Sequence, residues 1–543
     1  SLGGFLPGGV VEGTYEPGGK LILRTETSFP YSVHHLVSLW YYSHPELAVK
    51  NVYKMNQDGK QVKLAAAEPQ SVGGYISTMV AADPAAELAA KALQSAGGRV
   101  FAVGGAVRDA VMGNEPKDID LMVIGLPAES VDEALRKLPG RVDLTGKDFG
   151  VFRFRDKNGA EVEIALPRKE RSTGSSHQDF DVQADHTMTP EEDLFRRDFT
   201  ANAMAVDLSN GHLIDPYGGV DDARQGILRT VNPQALSEDP LRVVRALGAH
   251  ARHGLHPDKS TREQMNQNAD SITHLPSERV QAELDKIFKS KNPASAIRLA
   301  RETGVLKHIL PEVDAAFGYD QQNRHHELEL GDHLVKVLDR VSQLTDDPDV
   351  RLAALLHDIG KPGSQWTDPD TGESHFYKKK LPDGTFVGQN HDEVGARMAE
   401  QAMRRINGYD TNRINRVRDL VNHHMFPAFT TPKGARRFVN RVGDHADDLL
   451  LLREADQGGK SAAHDPTTNV EVQRNLLEQA RQAPTTTAQL AVNGNDLIAA
   501  GIPQGPQIGQ ILKSLTQAVV DDPALNTRDQ LLNYARQYGT ITS

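Results

Sequence analysis

The spacing of apolar and polar positions divides the chain before any chemistry is considered. Residues 1 to 85 carry short apolar runs, such as KLILRTE, set among Gly, Pro, Tyr and Thr, which predicts strands joined by turns. From 86 to about 230 the period alternates between helix and strand. PAAELAAKALQSAG predicts a helix stopped at Gly97-Gly98, RVFAVGG a strand, AVRDAVMG a helix and DIDLMVIG a strand. FGVFRFRDKNGAEVEIALPR predicts a hairpin turning at Asn158-Gly159. From about 231 onward the apolar residues recur at helical spacing, in DPLRVVRALGAHARHG, SERVQAELDKIFKS, NPASAIRLARETGVLKHIL and GDHLVKVLDRVSQL. A Gly/Pro/Asp-rich insertion, 362 to 389, predicts a loop or hairpin. No long repeat or low-complexity tail interrupts this order. The expected class is α+β: a small β-rich N-terminal segment, a mixed α/β head and an all-helical body.

Composition narrows the function classes. The chain has 543 residues, enough for several domains, and its 38% hydrophobic and 25% charged content suits a soluble globular protein. No apolar run approaches a membrane span, and residues 1 to 30 lack the basic start and compact apolar stretch of a signal peptide. The absence of cysteine excludes disulfides and zinc–thiolate sites and fits a reducing compartment, so a cytoplasmic location is expected. The net charge of -12 means that any RNA contact must use local basic patches. The chain begins with Ser1, which leaves processing or a longer precursor open.

The sharpest chemical signal is AVGGAVRDAVMGNEPKDIDLMV, residues 102 to 123. Residues i and i+2 of a strand share a face, so Asp118 and Asp120 project together. Two close carboxylates repel unless a cation lies between them. Mg²⁺ prefers oxygen ligands and bridges carboxylates to phosphates, and a pair of metals ~4 Å apart supports phosphoryl transfer. Gly104-Gly105, between a strand and a helix, lets backbone N–H groups approach a phosphate, and Arg108 adds a charged donor. The bland alternative is a solvated strand end followed by a tight turn.

VGGAVRDAVMGNEPKDIDLMV resembles the first motif of the class II tRNA nucleotidyltransferase and bacterial poly(A) polymerase family. RRDFTANAM (196 to 204), DPYGGVDDARQGILRTV (215 to 231) and EDPLRVVRA (238 to 246) resemble the next three in the family's order, and SERVQAELDKI (277 to 287) the helix that follows. The likeness covers roughly 90 to 460, and more weakly to about 540. It implies that Asp118 and Asp120 hold Mg²⁺, that Glu163 supplies a third acid from a neighbouring strand, and that Arg197, Asp198 and Asn202 handle the ribose and phosphates of the nucleotide. Two departures stand out. The fourth motif continues as Gly248, Ala249, His250, Ala251, Arg252 where the family often has R-F-A-A-R, and Ala201 replaces a larger aliphatic residue.

Asp239, Arg242 and Arg245 are spaced i, i+3, i+6 and so lie along one helix face. Asp239 before Pro240 suits a helix cap. The same pair also matches a base edge: cytosine and adenine each offer an amino donor beside a ring-nitrogen acceptor, which a carboxylate and a guanidinium complement. Guanine and uracil would leave buried groups unpaired, and sites built on hydrogen bonds reject such analogues strongly. Both readings stand at this stage.

Farther on, His333, His357, Asp358, His391, His424 and Asp456 fall on separate predicted helices at intervals that suit a divalent transition metal between helices. LAALLHDIGKP and its flanking histidines resemble the HD phosphohydrolase superfamily, which implies activity on 2′,3′-cyclic phosphates or other phosphoesters unless the domain is only structural. Lys361 reads as a surface lysine by default. Lys433, Arg437 and Arg441, at i, i+4, i+8, form a stripe that suits either an RNA backbone or solvent. VNGNDLIAAGIPQGPQIGQIL resembles the tail of HD-bearing members.

The resulting expectation is a template-independent nucleotidyltransferase that uses CTP and ATP to complete the 3′-terminal CCA of tRNA, with a candidate HD phosphohydrolase. A poly(A) polymerase or a partial C- or A-adding enzyme shares the motifs. A protein of another class, retired from catalysis and binding RNA, is countered by the intact Asp118/Asp120 pair. The expected divisions are 1–85, of unknown role, with no counterpart in the family and open either to docking a protein partner or to being part of a longer precursor, 86–230 for the catalytic head, 231–320 for a nucleotide-reading neck and body, 321–460 for the HD domain, and 461–543 for a helical tail that is a candidate for tRNA contact.

Overall fold

The computed structural model describes residues 2–6, 9–16, 20–25, 51–55, 61–66, 72–145, 150–172, 180–320, 329–458 and 470–541. The N-terminal segment forms a sheet of β1 (Leu2–Leu6), β2 (Gly9–Glu16), β3 (Lys20–Thr25), β4 (Asn51–Met55) and β5 (Gln61–Ala66), ordered β1-β2-β3-β4-β5. Its pairings are antiparallel except that between β3 and β4.

The head is built on β6 (Arg99–Val103), β7 (Asp120–Ile124), β8 (Gly140–Thr145), β9 (Val151–Asp156) and β10 (Glu161–Ala165). A separate ribbon follows, of β11 (Arg168–Ser172) and β12 (Phe180–Ala184), and then β13 (Ala205–Asp207) and β14 (His212–Ile214) close the main sheet. Its order is β14-β13-β6-β7-β10-β9-β8. The one parallel pairing in it joins β7 to β10. The predicted hairpin is β9–β10, with Gly159 in the left-handed region at its turn. The helix Pro84–Ser95 starts where the Asp83 side chain accepts from Ala86 N at 2.9 Å, and it buries Ala85, Ala86, Ala89, Ala90 and Leu93.

Two boundaries differ from the sequence expectation. The helix Val72–Ala82 belongs with the head rather than with the N-terminal segment. Gly73 lies so close to the β13–β14 turn that a Cβ there would stand 1.8 Å from Gly211 O. NPASAIRLARETGVLKHIL is two helices, Pro293–Glu302 and Leu306–Ile309, because Gly304 adopts φ +73° between them.

The chain divides into two compact units: Ser1–Arg242 with Gly254–Gln264, and Val243–His253 with Met265–Ser543. The first is therefore discontinuous in sequence. Its returning strip is stitched to residues 226–230: His256 N donates to Gly226 O at 2.7 Å, Thr230 N to Thr261 Oγ1 at 3.1 Å, and Gln264 Nε2 to Thr230 Oγ1 at 2.8 Å.

The second unit is helical apart from the insertion, where Trp366–Thr367 pairs with Ser374–His375 and Lys379–Lys380 with Phe386–Val387. One buried cation organises its centre. Arg351 is 1% exposed and donates to Phe288 O (2.7 Å), Ser290 O (2.6 Å), Thr345 O (2.7 Å) and Ser342 O (2.9 Å). Burial pulls its pKa down, while Asp346 and Asp347 push it back up. A smaller core of Val492, Leu497, Ile502, Ile511, Leu515, Val519, Leu531 and Ala535 holds the tail.

Arg351→Ala leaves those carbonyls without their donor. We expect it to destabilise the second unit by about 3 kcal/mol or more, read as a lower midpoint in urea unfolding.

Candidate active site

Register puts the head's chemistry in one place. Asp120, the first residue of β7, lies opposite Val103 on β6 and opposite Glu163 on β10. Val103 runs directly into Gly104, where φ is +73° and the helix Gly105–Val111 begins. The glycine turn, Asp120 and Glu163 thus stand side by side on three neighbouring strands. Asp118 precedes the strand proper, but Ile119 between the two aspartates is buried and both aspartates are exposed, so the alternation holds.

Arg197 reaches the same place, with its Nη1 3.5 Å from where a Cβ on Gly104 would be. Although Asp120 reaches the surface, the protein around its carboxylate desolvates it and raises its pKa, and the Glu163 and Asp118 charges add to the effect while Arg197 opposes it. Glu163 is drawn toward Arg153, at 2.6 Å. The three carboxylates do not converge as closely as the histidine centre described below, which holds two triplets of donors, His333/His357/Asp358 and Asp358/His391/His424, each within 4.8 Å.

The segment 196–204 forms the second wall. Asn202 donates to Asp198 at 3.1 Å and accepts from Arg108 Nη1 at 2.7 Å, so Arg108, Asn202 and Asp198 make one chain of hydrogen bonds. Asp198 also accepts from Phe199 N at 2.8 Å. Arg108 is further held by its sequence neighbour Asp109, at 2.9 Å. Ala201 is fully buried, so the small residue there is part of a closed core.

Asp239 accepts from Leu241 N at 3.2 Å, at the start of the helix Leu241–His253, which realises the capping alternative. Arg242 donates to Ala235 O at 2.9 Å and to Arg196 O at 2.5 Å, tying the fourth motif back to the second. Arg245, one turn on, is exposed.

In the second unit the six predicted metal-site residues come together. His357 and Asp358 follow the helix Pro348–Leu356, and His391 opens the helix His391–Ile406. His333, His424 and Asp456 arrive on three further elements. Gly360 allows the approach: a Cβ there would stand 2.1 Å from His391 O. Asp358 is central. Its Oδ1 is 3.2 Å from both His391 Nε2 and His424 Nε2, and its Oδ2 is 3.3 Å from His357 Nε2 and 3.7 Å from His333 Nε2. Asp456 lies 3.0 Å from His333 and 3.7 Å from His357.

The donor chemistry fits divalent cations. His357, His391 and His424 each turn Nδ1 to a backbone carbonyl, of Ala354 (2.7 Å), Phe376 (3.1 Å) and Val421 (2.6 Å). A carbonyl only accepts, so the proton sits on Nδ1 and the neutral ring offers an Nε2 lone pair inward. His391 and His424 then face each other, Nε2 to Nε2, at 3.3 Å, and His357 Nε2 is buried without a hydrogen bond. Such an arrangement calls for positive charge at its middle. The same demand shows in the protonation equilibria: burial opposes a charge on His357, yet Asp358 and Asp456 overcome it and push its pKa up to about 10. Burial lowers that of His424 despite Asp358. Burial pushes both aspartates up, but interactions with the surrounding imidazoles, and for Asp358 also the Lys361 charge, outweigh it and hold both well below the usual carboxylate range.

Lys361 corrects the surface reading. It is buried, with Nζ 2.8 Å from Asp358 Oδ2. The signal was its place three residues after Asp358 in HDIGK, which a helical turn brings back to the aspartate. Of the basic stripe, Arg437 makes a two-point ion pair with Asp521, at 2.7 and 2.9 Å, and Lys433 lies 3.6 Å from the same carboxylate, so much of the stripe's charge is balanced within the fold.

Comparison with known proteins agrees with this layout. A Poly A polymerase head domain model matches 100–229, an RNA and SrmB-binding site of polymerase A model 254–317, an HD domain model 330–458, and a model for domain 2 of tRNA nucleotidyltransferase 464–535. The multifunctional CCA protein of Xanthomonas campestris pv. campestris is 35% identical over 438 residues, covering 78% of this chain and 98% of the relative. The chain belongs to the multifunctional CCA protein family. The Nitrosococcus oceani member is 33% identical over 439 residues, covering 77% of this chain and 98% of the relative. The fold is also that of the Bacillus stearothermophilus CCA-adding enzyme in complex with CTP (TM-score 0.61, 22% identity, 84% of this chain and 97% of that one). The Thermotoga maritima CCA-adding enzyme complexed with tRNA is similar as well (TM-score 0.51, 21% identity, 83% and 94%). As a CCA family member the chain is a nucleotidyltransferase with an HD domain. Among the described residues no helix is long and apolar enough to cross a membrane.

Asp358 contributes to both donor sets of the histidine centre. Protein purified from metal-supplemented medium and desalted should retain a divalent metal, and Asp358→Ala should lose most of it, measured by elemental mass spectrometry.

Proposed function

We propose that this chain completes the 3′ end of tRNA by adding CMP and AMP from CTP and ATP. The observation that carries this reading is the register that sets the glycine turn, Asp118/Asp120 and Glu163 side by side in a chain that spans 98% of a CCA relative. The RNA 3′-hydroxyl attacks the α-phosphate of the nucleotide, one P–O bond forms, and pyrophosphate leaves. Gly104 and Gly105 let the backbone approach the triphosphate, and Arg197 supplies positive charge beside it. Asn202, fixed between Asp198 and Arg108, presents an amide that both donates and accepts to the ribose. Asp118, Asp120 and Glu163 would hold Mg²⁺, which when bound neutralises charge that develops on the transferring phosphate. Asp239 and Arg242 read the base. Arg242 is already anchored to the nucleotide-handling segment through Arg196 O, which supports its place beside the base. Arg245 extends this face, and Arg441, with the uncommitted share of Lys433 and Arg437, serves the tRNA backbone.

A second activity is supported by the histidine centre. Three imidazoles prepared as Nε2 ligands around Asp358 suit divalent transition metals and hydrolysis of an RNA-terminal phosphoester, in which water adds at phosphorus and one P–O bond opens. Lys361, against Asp358, holds the carboxylate in place. The N-terminal sheet lies outside all the matched models.

The test is to supply Mg²⁺, CTP and ATP with tRNA transcripts that end before CCA, and to sequence the products. Extension that stops at CCA upholds the proposal; long A tails without regard for tRNA would instead make the enzyme a poly(A) polymerase. Asp120→Ala should abolish addition while tRNA binding, followed by fluorescence anisotropy, persists. Asp239→Ala should weaken rejection of UTP by about tenfold or more, seen as U in the sequenced ends.

A further inference from the structure

The insertion between Lys361 and His391 carries exposed rings and lysines that neither site uses. Trp366, His375 and Tyr377 form a ladder, with ring centroids 5.0 Å apart for Trp366–His375, 5.1 Å for His375–Tyr377 and 6.5 Å for Trp366–Tyr377. Trp366 anchors it: its Nε1 donates to Tyr377 O at 2.9 Å, and it lies against Gly388, where a Cβ would stand 2.3 Å from its ring. Two rings of the insertion are exposed: Tyr377, in the ladder, at 49%, and Phe386, on the second hairpin and outside the ladder, at 56%.

Charge accompanies the rings. Lys378 and Lys380 place their ammonium groups 4.5 and 6.0 Å from the Phe386 centroid. Lys379 is committed to Asp368, at 3.1 Å. Alternating rings and cations suit a single strand of nucleic acid, whose bases stack on aromatic faces while its phosphates meet the lysines. A protein groove would call for a continuous apolar surface, which these interleaved lysines interrupt.

The insertion is also joined to the histidine centre. Phe376, between His375 and Tyr377, is buried, and its carbonyl accepts from His391 N at 3.0 Å while facing His391 Nδ1. Its ring lies 5.7 Å from Lys361 Nζ, which in turn contacts Asp358. The stacking surface thus begins one residue from a group that orients a metal ligand.

We propose that the paired hairpins, through Tyr377, Phe386, Lys378 and Lys380, bind the unpaired 3′-terminal nucleotides of an RNA and present its end to the histidine centre. This rests on the phosphoesterase reading, and adds to it the surface that holds the RNA strand beside the site.

The test compares two substrates with the same reacting group: a short single-stranded RNA ending in a 2′,3′-cyclic phosphate, and a 2′,3′-cyclic mononucleotide, which has no neighbouring bases. In the full chain, the double variant Tyr377→Ala/Phe386→Ala should lower kcat/KM on the RNA about tenfold, mainly through KM. Its loss on the mononucleotide should be far smaller, and Tyr377→Phe should keep the RNA preference. Equal losses on both substrates, or none on either, would overturn the proposal. If the parent hydrolyses neither substrate, the phosphoesterase reading fails by itself. The hairpins are then judged by anisotropy with a labelled single-stranded RNA bearing a 3′-phosphate: about tenfold weaker binding by the double variant sustains an RNA-end site, and equal binding refutes it.

Discussion

Like charges held at fixed register set the terms for the head. Asp120 cannot turn away from Glu163 without carrying Leu121, Met122 and Val123 with it, and those residues are fully buried. From Leu121 onward both faces of the strand are buried, so a slip of one residue would carry a carboxylate into the core. The apolar core thus enforces an electrostatic conflict. Arg153 relieves it at Glu163 and Arg197 tempers it at Asp120, and what remains is an affinity for cations.

The second unit meets a related problem by other means. Its carboxylates are buried, where an uncompensated charge would be prohibitive. Five helix ends or first turns deliver the ligands, and backbone carbonyls orient the imidazoles. Arg351, binding four carbonyls nearby, shows the same economy: helix ends leave acceptors over, and a buried cation gathers them. The open head suits exchange of large substrates, whereas the enclosed histidine cluster suits tight retention of ions.

Much of this was legible in the sequence because period and punctuation were strong. The strands around Asp120, the hairpin at Asn158-Gly159 and the histidine spacing needed no long-range information. What escaped depended on partners far along the chain. The helix Val72–Ala82 was hidden by its two glycines, one of which meets Gly211. Arg242 finds its acceptor 46 residues away, and Arg437 finds Asp521 at a separation of 84, so neither commitment shows in local pattern. Lys361 was misread because composition reports residue type, not burial. For Asp239 the two sequence alternatives are not exclusive: one oxygen caps Leu241 N, and a carboxylate has further lone pairs to offer.

The strip Gly254–Gln264, which returns to the first unit after a helix that belongs to the second, bears on how such proteins diversify. A catalytic head closed by Thr261 and Gln264 is complete only when the stretch that encodes it runs on through the intervening helix, residues 243–253. A chimaera joined before residue 254 would therefore carry strands lacking their last stitches. The tail, by contrast, is contiguous in sequence, yet Arg437 still ties it to an earlier helix through Asp521.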